Sequence, residues 1–284
     1  EGGEIVITFR IDGDRLLFFN HLSGDKPISI YKKINQKKDE PVDPEKIKWL
    51  KSNHIVLRSI NPDYTNFSDF EPIKKAIGNA QIVMLGEQSH GDGATFDAKI
   101  RLIRFLHEKM GFNVLSWESG MYDCEIANGM LKNGNIDTAL ESSIFGIWAQ
   151  GRTLPPLFKY ISSTHTVNKP LLMTGFDIQF TGNKFDKNRY LSEFLDGLPN
   201  DIKNKINDEL KKTILDLVEH LKNKEYANYS KEIRSSKEEE ISNLIKTIEK
   251  YNKPKNKLQI DYSLRLLKNL YNLAKMWSDE IDKN

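Results

Sequence analysis

Residues 81–118 read QIVMLGEQSHGDGATFDAKIRLIRFLHEKMGFNVLSWE, and the fold depends on how this stretch divides. Ile82-Val83-Met84-Leu85-Gly86 is a short apolar run bounded by polar residues, which predicts a buried parallel strand. It ends in Glu87-Gln88-Ser89-His90-Gly91-Asp92-Gly93, too polar for a core. From Ala94 to Met110, Phe96, Ile100, Ile103 and Phe105 recur at helical spacing, and Gly111 supplies a C-cap. Asn113-Val114-Leu115-Ser116-Trp117 then forms a second strand that delivers Glu118. A strand, a crossover helix and a second strand give parallel neighbours. In open α/β sheets, ligands bind outside the carboxyl ends of the strands. Glu87, His90 and Glu118 are therefore expected on one edge of the sheet. An imidazole beside two carboxylates can act as a general base of fixed tautomer.

At these residues the sequence resembles the erythromycin esterase-like family. The match lies in Gly86-Glu87-Gln88-Ser89-His90-Gly91, in Lys99-Ile100-Arg101-Leu102 on the helix, and in Trp117-Glu118 closing the strand. It extends over roughly Trp49 to Gln179. The resemblance implies a metal-independent hydrolase in which His90 activates water, supported by the carboxylates of Glu87 and Glu118. Lys99 stands where macrolide esterases often carry Arg, which leans away from a dedicated macrolide-resistance enzyme. The family also carries a second histidine in a strand-borne Ala-His-Asn motif beyond the long helices. No such motif follows here, so that distal segment is expected to be lacking.

Working outward, Pro170–Gln179 predicts a third strand whose Gly175-Phe176-Asp177-Ile178-Gln179 ending is similar to the family's. Asp177 would either reach the crevice or cap its own loop. Between the second and third strands, helices are expected at Tyr122–Leu131 and Ile136–Ile144, followed by Phe145-Gly146-Ile147-Trp148 and then Arg152. Trp148 would line a substrate pocket or sit in the core. Lys99, Arg152 or the Gly91 and Gly93 amides would face a developing oxyanion. Lys99 and Arg101 lie on different faces of their helix, one aimed at the crevice or both solvated, and His107 is expected at the surface.

Beyond Pro199 the chain turns to long amphipathic stripes, among them Ile214, Leu217 and Leu221, then Ile241, Leu244 and Ile248, then Leu266, Leu270 and Ala274. These read as the buried faces of a helical bundle or lid, with Glu238-Glu239-Glu240 as a solvated run. At the other end, Ile5–Phe9 and Leu16–Phe19 flank Asp12-Gly13, a hairpin signal, and Ile28–Lys33 offers a third strand. Gln36–Pro44 reads as a linker, and Asp43-Pro44 as the N-cap and first residue of a short helix. Ser68-Asp69-Phe70-Glu71 is a capping box for a helix closed by Gly78.

The expected fold is α/β: a small, mostly parallel central sheet flanked by helices, a C-terminal helical bundle or lid, and a short N-terminal β element. Its divisions are 1–40, 41–198 as the catalytic core, and 199–284. The 42 basic and 40 acidic residues leave a net charge of +2, too weak a field to argue for nucleic acid or an anionic membrane. Composition places the chain with soluble globular proteins, a cytoplasmic setting being preferred over an exported one. The one cysteine, Cys124, allows no internal disulfide and no thiolate metal cage, and is expected as a packed thiol.

The residue list also narrows the chemistry. No Gly-x-Ser-x-Gly elbow is present, so serine catalysis is disfavoured. Cys124 has no histidine near it in sequence, which leaves direct attack by water on a carboxylic ester or lactone. No cofactor and no metal is required by this scheme. Two alternatives stay open. One is a metal-dependent hydrolase using Glu87, His90, Glu118 and Asp177 as oxygen and imidazole ligands. The other is a ligand-binding or degenerate member without turnover.

Overall fold

The computed structural model describes residues 7–20, 26–27, 29–32, 43–87, 90–167, 169–183, 185–251 and 257–283. They divide into two compact units, 1–55 and 56–284.

The first unit holds an antiparallel sheet of β1 (Ile7–Asp12), β2 (Arg15–Asn20) and β3 (Ser29–Lys32), in that order. The hairpin closes through Gly13 and Asp14, with Asp12 opposite Arg15. Gly13 takes φ +60, the left-handed conformation such a tight turn needs. Helix α1 (Pro44–Ser52) starts as the sequence predicts, with Asp43 Oδ1 accepting from the Glu45 amide at 2.9 Å. Its apolar residues Ile47, Trp49 and Leu50 are exposed. Most of the expected linker, residues 36–42, lies outside the described residues.

The second unit contains α2 (Glu71–Ile77), α3 (Gly93–Met110), β4 (Val114–Gly120), α4 (Met121–Lys132) and α5 (Ile136–Ser143). The short α6 (Gly146–Ala149), α7 (Pro155–Thr166) and β5 (Leu172–Asp177) follow. The chain continues through α8 (Lys187–Asp196), α9 (Asn200–Lys203), α10 (Asp208–Lys222), α11 (Lys231–Lys250) and α12 (Lys257–Ile281). Strands β4 and β5 pair in parallel. The expected α/β class with C-terminal helices and a small N-terminal sheet is the observed architecture.

One strand is corrected. Residues 82–87 run without ladder hydrogen bonds, and Ile82 and Met84 are 80% and 92% exposed. Alternation survives, since Val83 packs with Phe67, Phe70, Phe105 and Leu106, but the run buries only that one side. The capping box is also absent: Ser68–Phe70 forms a single 3-10 turn, and the helix begins at Glu71 without a side-chain cap.

The sheet has one covered face. Leu115, Trp117, Leu171 and Met173 pack with Phe96, Ile100, Leu131, Leu157 and Phe158, whereas Val114, Leu172 and Phe176 are exposed on the other side. The outer edge of β5 is closed by a side chain. Asn128 of α4 donates to the Met173 carbonyl at 2.8 Å and accepts from the Met173 amide at 2.7 Å, as a neighbouring strand would. At the carboxyl end the two strands approach so closely that a Cβ on Gly175 would overlap the Ser119 carbonyl.

The C-terminal helices bury Ile214, Leu217, Ile241, Ile248, Leu266 and Leu270 around one another, and Tyr122 of α4 joins them. They thereby share a compact unit with the sheet. Glu238 is not solvated as expected. It is buried and accepts from Ser278 Oγ at 2.5 Å and Tyr226 OH at 3.1 Å.

Candidate active site

Glu87 and His90 sit where the extended segment turns into α3, whose first turn is capped by Asp92 accepting from the Thr95 amide at 3.3 Å. His90 Nδ1 lies 3.3 Å from Glu87 Oε2, the carboxylate side chain being mostly buried and the imidazole 57% exposed. The other oxygen, Glu87 Oε1, is buried with no hydrogen-bond partner among the described residues. A buried acceptor so placed is one that an ordered water would satisfy. The Trp148 indole stands against the imidazole, ring centroids 5.4 Å apart and planes at 79°.

The remaining expected residues are less closely gathered. Glu118 falls where the β4–β5 register slips between Trp117 and Gly120, and its side chain is exposed. Such an irregularity re-aims a side chain at the end of a strand. No hydrogen bond or ion pair among the described residues joins Glu118 to His90. Asp177 ends β5 and caps its own loop, Oδ1 accepting from the Gln179 amide at 2.9 Å and Oδ2 from Gln179 Nε2 at 3.3 Å. Lys99 is half-buried, its Nζ 4.8 Å from the Phe96 ring centroid, and Arg152 is exposed. Among the described residues, no three His, Cys, Asp or Glu side chains are grouped as metal ligands.

Three other readings change. Arg101 is neither solvated nor aimed at the crevice, being fully buried in an ion pair with Asp69. His107 is buried, Nδ1 lying 2.6 Å from Tyr160 OH, and burial followed by the charge of Lys169 pushes its pKa down. Cys124 is a packed thiol as expected, buried so that its pKa is driven up.

The loops around the strand ends are held by groups the sequence reading did not single out. Asp123 Oδ2 accepts from the Thr181 and Gly182 amides at 2.6 and 3.2 Å, fixing the chain that leaves β5. Thr181 Oγ1 accepts from the Gly120 amide at 3.0 Å and donates to the Ser143 carbonyl at 3.0 Å. Ser119 Oγ accepts from the Phe145 amide at 3.3 Å, tying the residue after Glu118 to the segment that carries Trp148. An aspartate three residues into a helix after a strand is a faint signal of this kind, because its acceptors serve a loop 58 residues away.

No protein-family profile matches the chain. Among curated proteins, the putative hydrolase YbfO of Bacillus subtilis is 34% identical over 137 residues, which span 47% of this chain and 30% of that protein. Erythromycin esterase type II of Escherichia coli is 35% identical over 89 residues, 31% of this chain and 21% of that one. A succinoglycan biosynthesis protein of known structure superposes on 84% of this chain and 57% of its own, with a TM-score of 0.68 at 19% identity. A mutant of the erythromycin esterase EreC in its open conformation gives 0.53 at 15% identity, over 79% and 57%.

In sequence and in fold the chain resembles the erythromycin esterase-like proteins.

Relative to these erythromycin esterase-like proteins the chain is short: the matched segments span under a third of the two curated relatives and 57% of the two solved ones. No helix among the described residues is long and apolar enough to cross a membrane. Of the expected site residues, Glu87 and His90 are the pair found in contact among the described residues.

Proposed function

We propose that the chain carries the water-activating part of an erythromycin esterase-like hydrolase acting on a carboxylic ester or lactone. The observation that carries this reading is the Glu87–His90 pair at 3.3 Å, one side buried and the other open to solvent. Glu87 Oε2 accepts from Nδ1–H, which keeps the proton on Nδ1 and leaves Nε2 as the basic nitrogen. Nε2 takes a proton from a water as that water attacks the carbonyl carbon, then returns it to the leaving alkoxide. The 3.3 Å separation is looser than a charge-assisted hydrogen bond, as catalytic contacts often are before substrate binds. Lys99, and Arg152 if its side chain swings inward, supply positive charge for the oxyanion. Glu118 completes the polar rim. The names of the curated relatives, a hydrolase and an esterase, support the same reaction class.

The test is hydrolysis of a panel of small p-nitrophenyl esters and a 14-membered macrolide lactone, with and without EDTA, beside His90→Ala. Loss of a general base is expected to lower kcat by ~10²–10⁴-fold, with the variant still folded by circular dichroism. Turnover is expected to persist in EDTA. Wild-type rates in His90→Ala would remove His90 from the mechanism, and loss of activity in EDTA restored by Mn or Zn would replace the metal-free scheme.

A further inference from the structure

We propose that Trp148 is a positioning residue that sets the plane of the His90 imidazole, a role that rests on the reading of His90 as the base. The sequence offered Trp148 as a pocket wall for substrate or a core residue, and its residue surface is only 7% exposed. Its indole lies against His90, with ring centroids 5.4 Å apart and planes at 79°. This edge-to-face arrangement is favoured by the ring quadrupole and fixes relative orientation.

The need for such a contact follows from where His90 stands. It lies in a turn, outside helix and strand, so no ladder holds its backbone. The Glu87 carboxylate anchors Nδ1 but leaves the ring free to swing about that contact. A second contact from a rigid body removes this freedom. Trp148 is rigid: it packs in the core with Leu154, Leu157 and Phe158, and Phe145 meets it at 5.8 Å with planes at 69°. The Ser119 Oγ bond to the Phe145 amide at 3.3 Å then ties the helix that bears Trp148 to the end of β4. One anchor thus sets the nitrogen and the other the ring plane, which together define where Nε2 points.

The experiment compares Trp148→Leu and Trp148→Phe in the intact chain, using kinetics on whichever ester the wild type hydrolyses and the His90 ring resonances by NMR. Misplacement of a base by about 1 Å lowers turnover by ~10²-fold, so Trp148→Leu is expected to lose roughly that in kcat with KM little changed. Trp148→Phe, which keeps an aromatic face, is expected to recover most of the rate. The His90 ring protons are expected to shift in Trp148→Leu as the indole ring current is lost. A raised KM with unchanged kcat would make Trp148 a substrate wall and overturn the proposal, as would unshifted His90 resonances. Should Trp148→Leu fail to fold, Trp148→Phe decides through the smaller ring-current change. Should the wild type hydrolyse nothing, the hydrolase reading fails by itself, while the NMR comparison still decides whether Trp148 sets the imidazole.

Discussion

Arg101 shows what a single residue can do for this fold. All five N–H groups of its guanidinium are used: Nε donates to the Tyr64 carbonyl, Nη1 to Ser59 and Asp69, and Nη2 to Asn66 and Asp69. The rings of Tyr64 and Phe70 lie 4.9 and 4.4 Å from its central carbon. The irregular segment 59–69 is thereby wrapped around one buried cation. Removing one partner of a buried pair leaves an uncompensated charge and costs ~3–5 kcal/mol. Arg101→Met and Asp69→Asn are each expected to lower the urea midpoint accordingly. Hydrogen bonding to Arg101, outweighing burial, holds the Asp69 carboxyl down at about 2. Its contribution is therefore complete above the ordinary aspartate value of ~3.9 and is lost as pH falls toward about 2. The stability gap between wild type and Asp69→Asn should narrow over that window, and a gap that stays constant would show that the carboxylate is not ionised in the fold. Little of this was legible beforehand. Helical spacing placed Arg101 on α3, but its acceptors come from 32 to 42 residues earlier, and the local pattern Ser68-Asp69-Phe70-Glu71 read as a cap instead.

At the scale of elements, α3, β4, α4, α5 and β5 were all visible as periodicity between turn residues, because each buries one face of regular spacing. The extended run at 82–86 was misread because an apolar composition does not reveal whether a second surface exists to cover it. Ile82 and Met84 point away from the side on which Val83 is packed. The Asn128 clamp on β5 was equally invisible, since an asparagine inside a helix is ordinarily a solvated residue. Two hydrogen bonds to one strand residue make it structural. Asn128→Ala leaves the Met173 amide and carbonyl unpaired and is expected to cost ~1–3 kcal/mol. The accompanying sign is faster amide exchange at Met173 by NMR, with β4–β5 pairing otherwise retained. Unchanged exchange would show that another group covers that edge.

For the molecule as a whole, the sheet region and the C-terminal helices meet at Asp123 and Lys222. Lys222 Nζ donates to the Gly182 carbonyl at 2.7 Å, while Asp123 takes the Gly182 amide from the other side. Burial pushes the Asp123 carboxyl up to about 6 against the pull of its amide donors. A carboxyl raised in the fold favours the native state most at low pH, and that contribution is lost as pH rises through about 6. Thermal melts of wild type and Asp123→Asn should therefore diverge as pH rises from the ordinary aspartate value of ~3.9 to about 6 and stay parallel above it, with the wild type alone losing stability on this account. The candidate pair Glu87 and His90 was legible because its spacing is local; Trp148 meets it from 58 residues further along, a distance sequence pattern cannot bridge. The closed rim of β5 carries a last implication. With the Asn128 amide on both the Met173 amide and carbonyl, an added strand cannot pair with β5 at that residue without displacing it. The helix that carries Asn128 thus stands in for a strand at that margin, and the width of the sheet there is set by a side chain rather than by backbone.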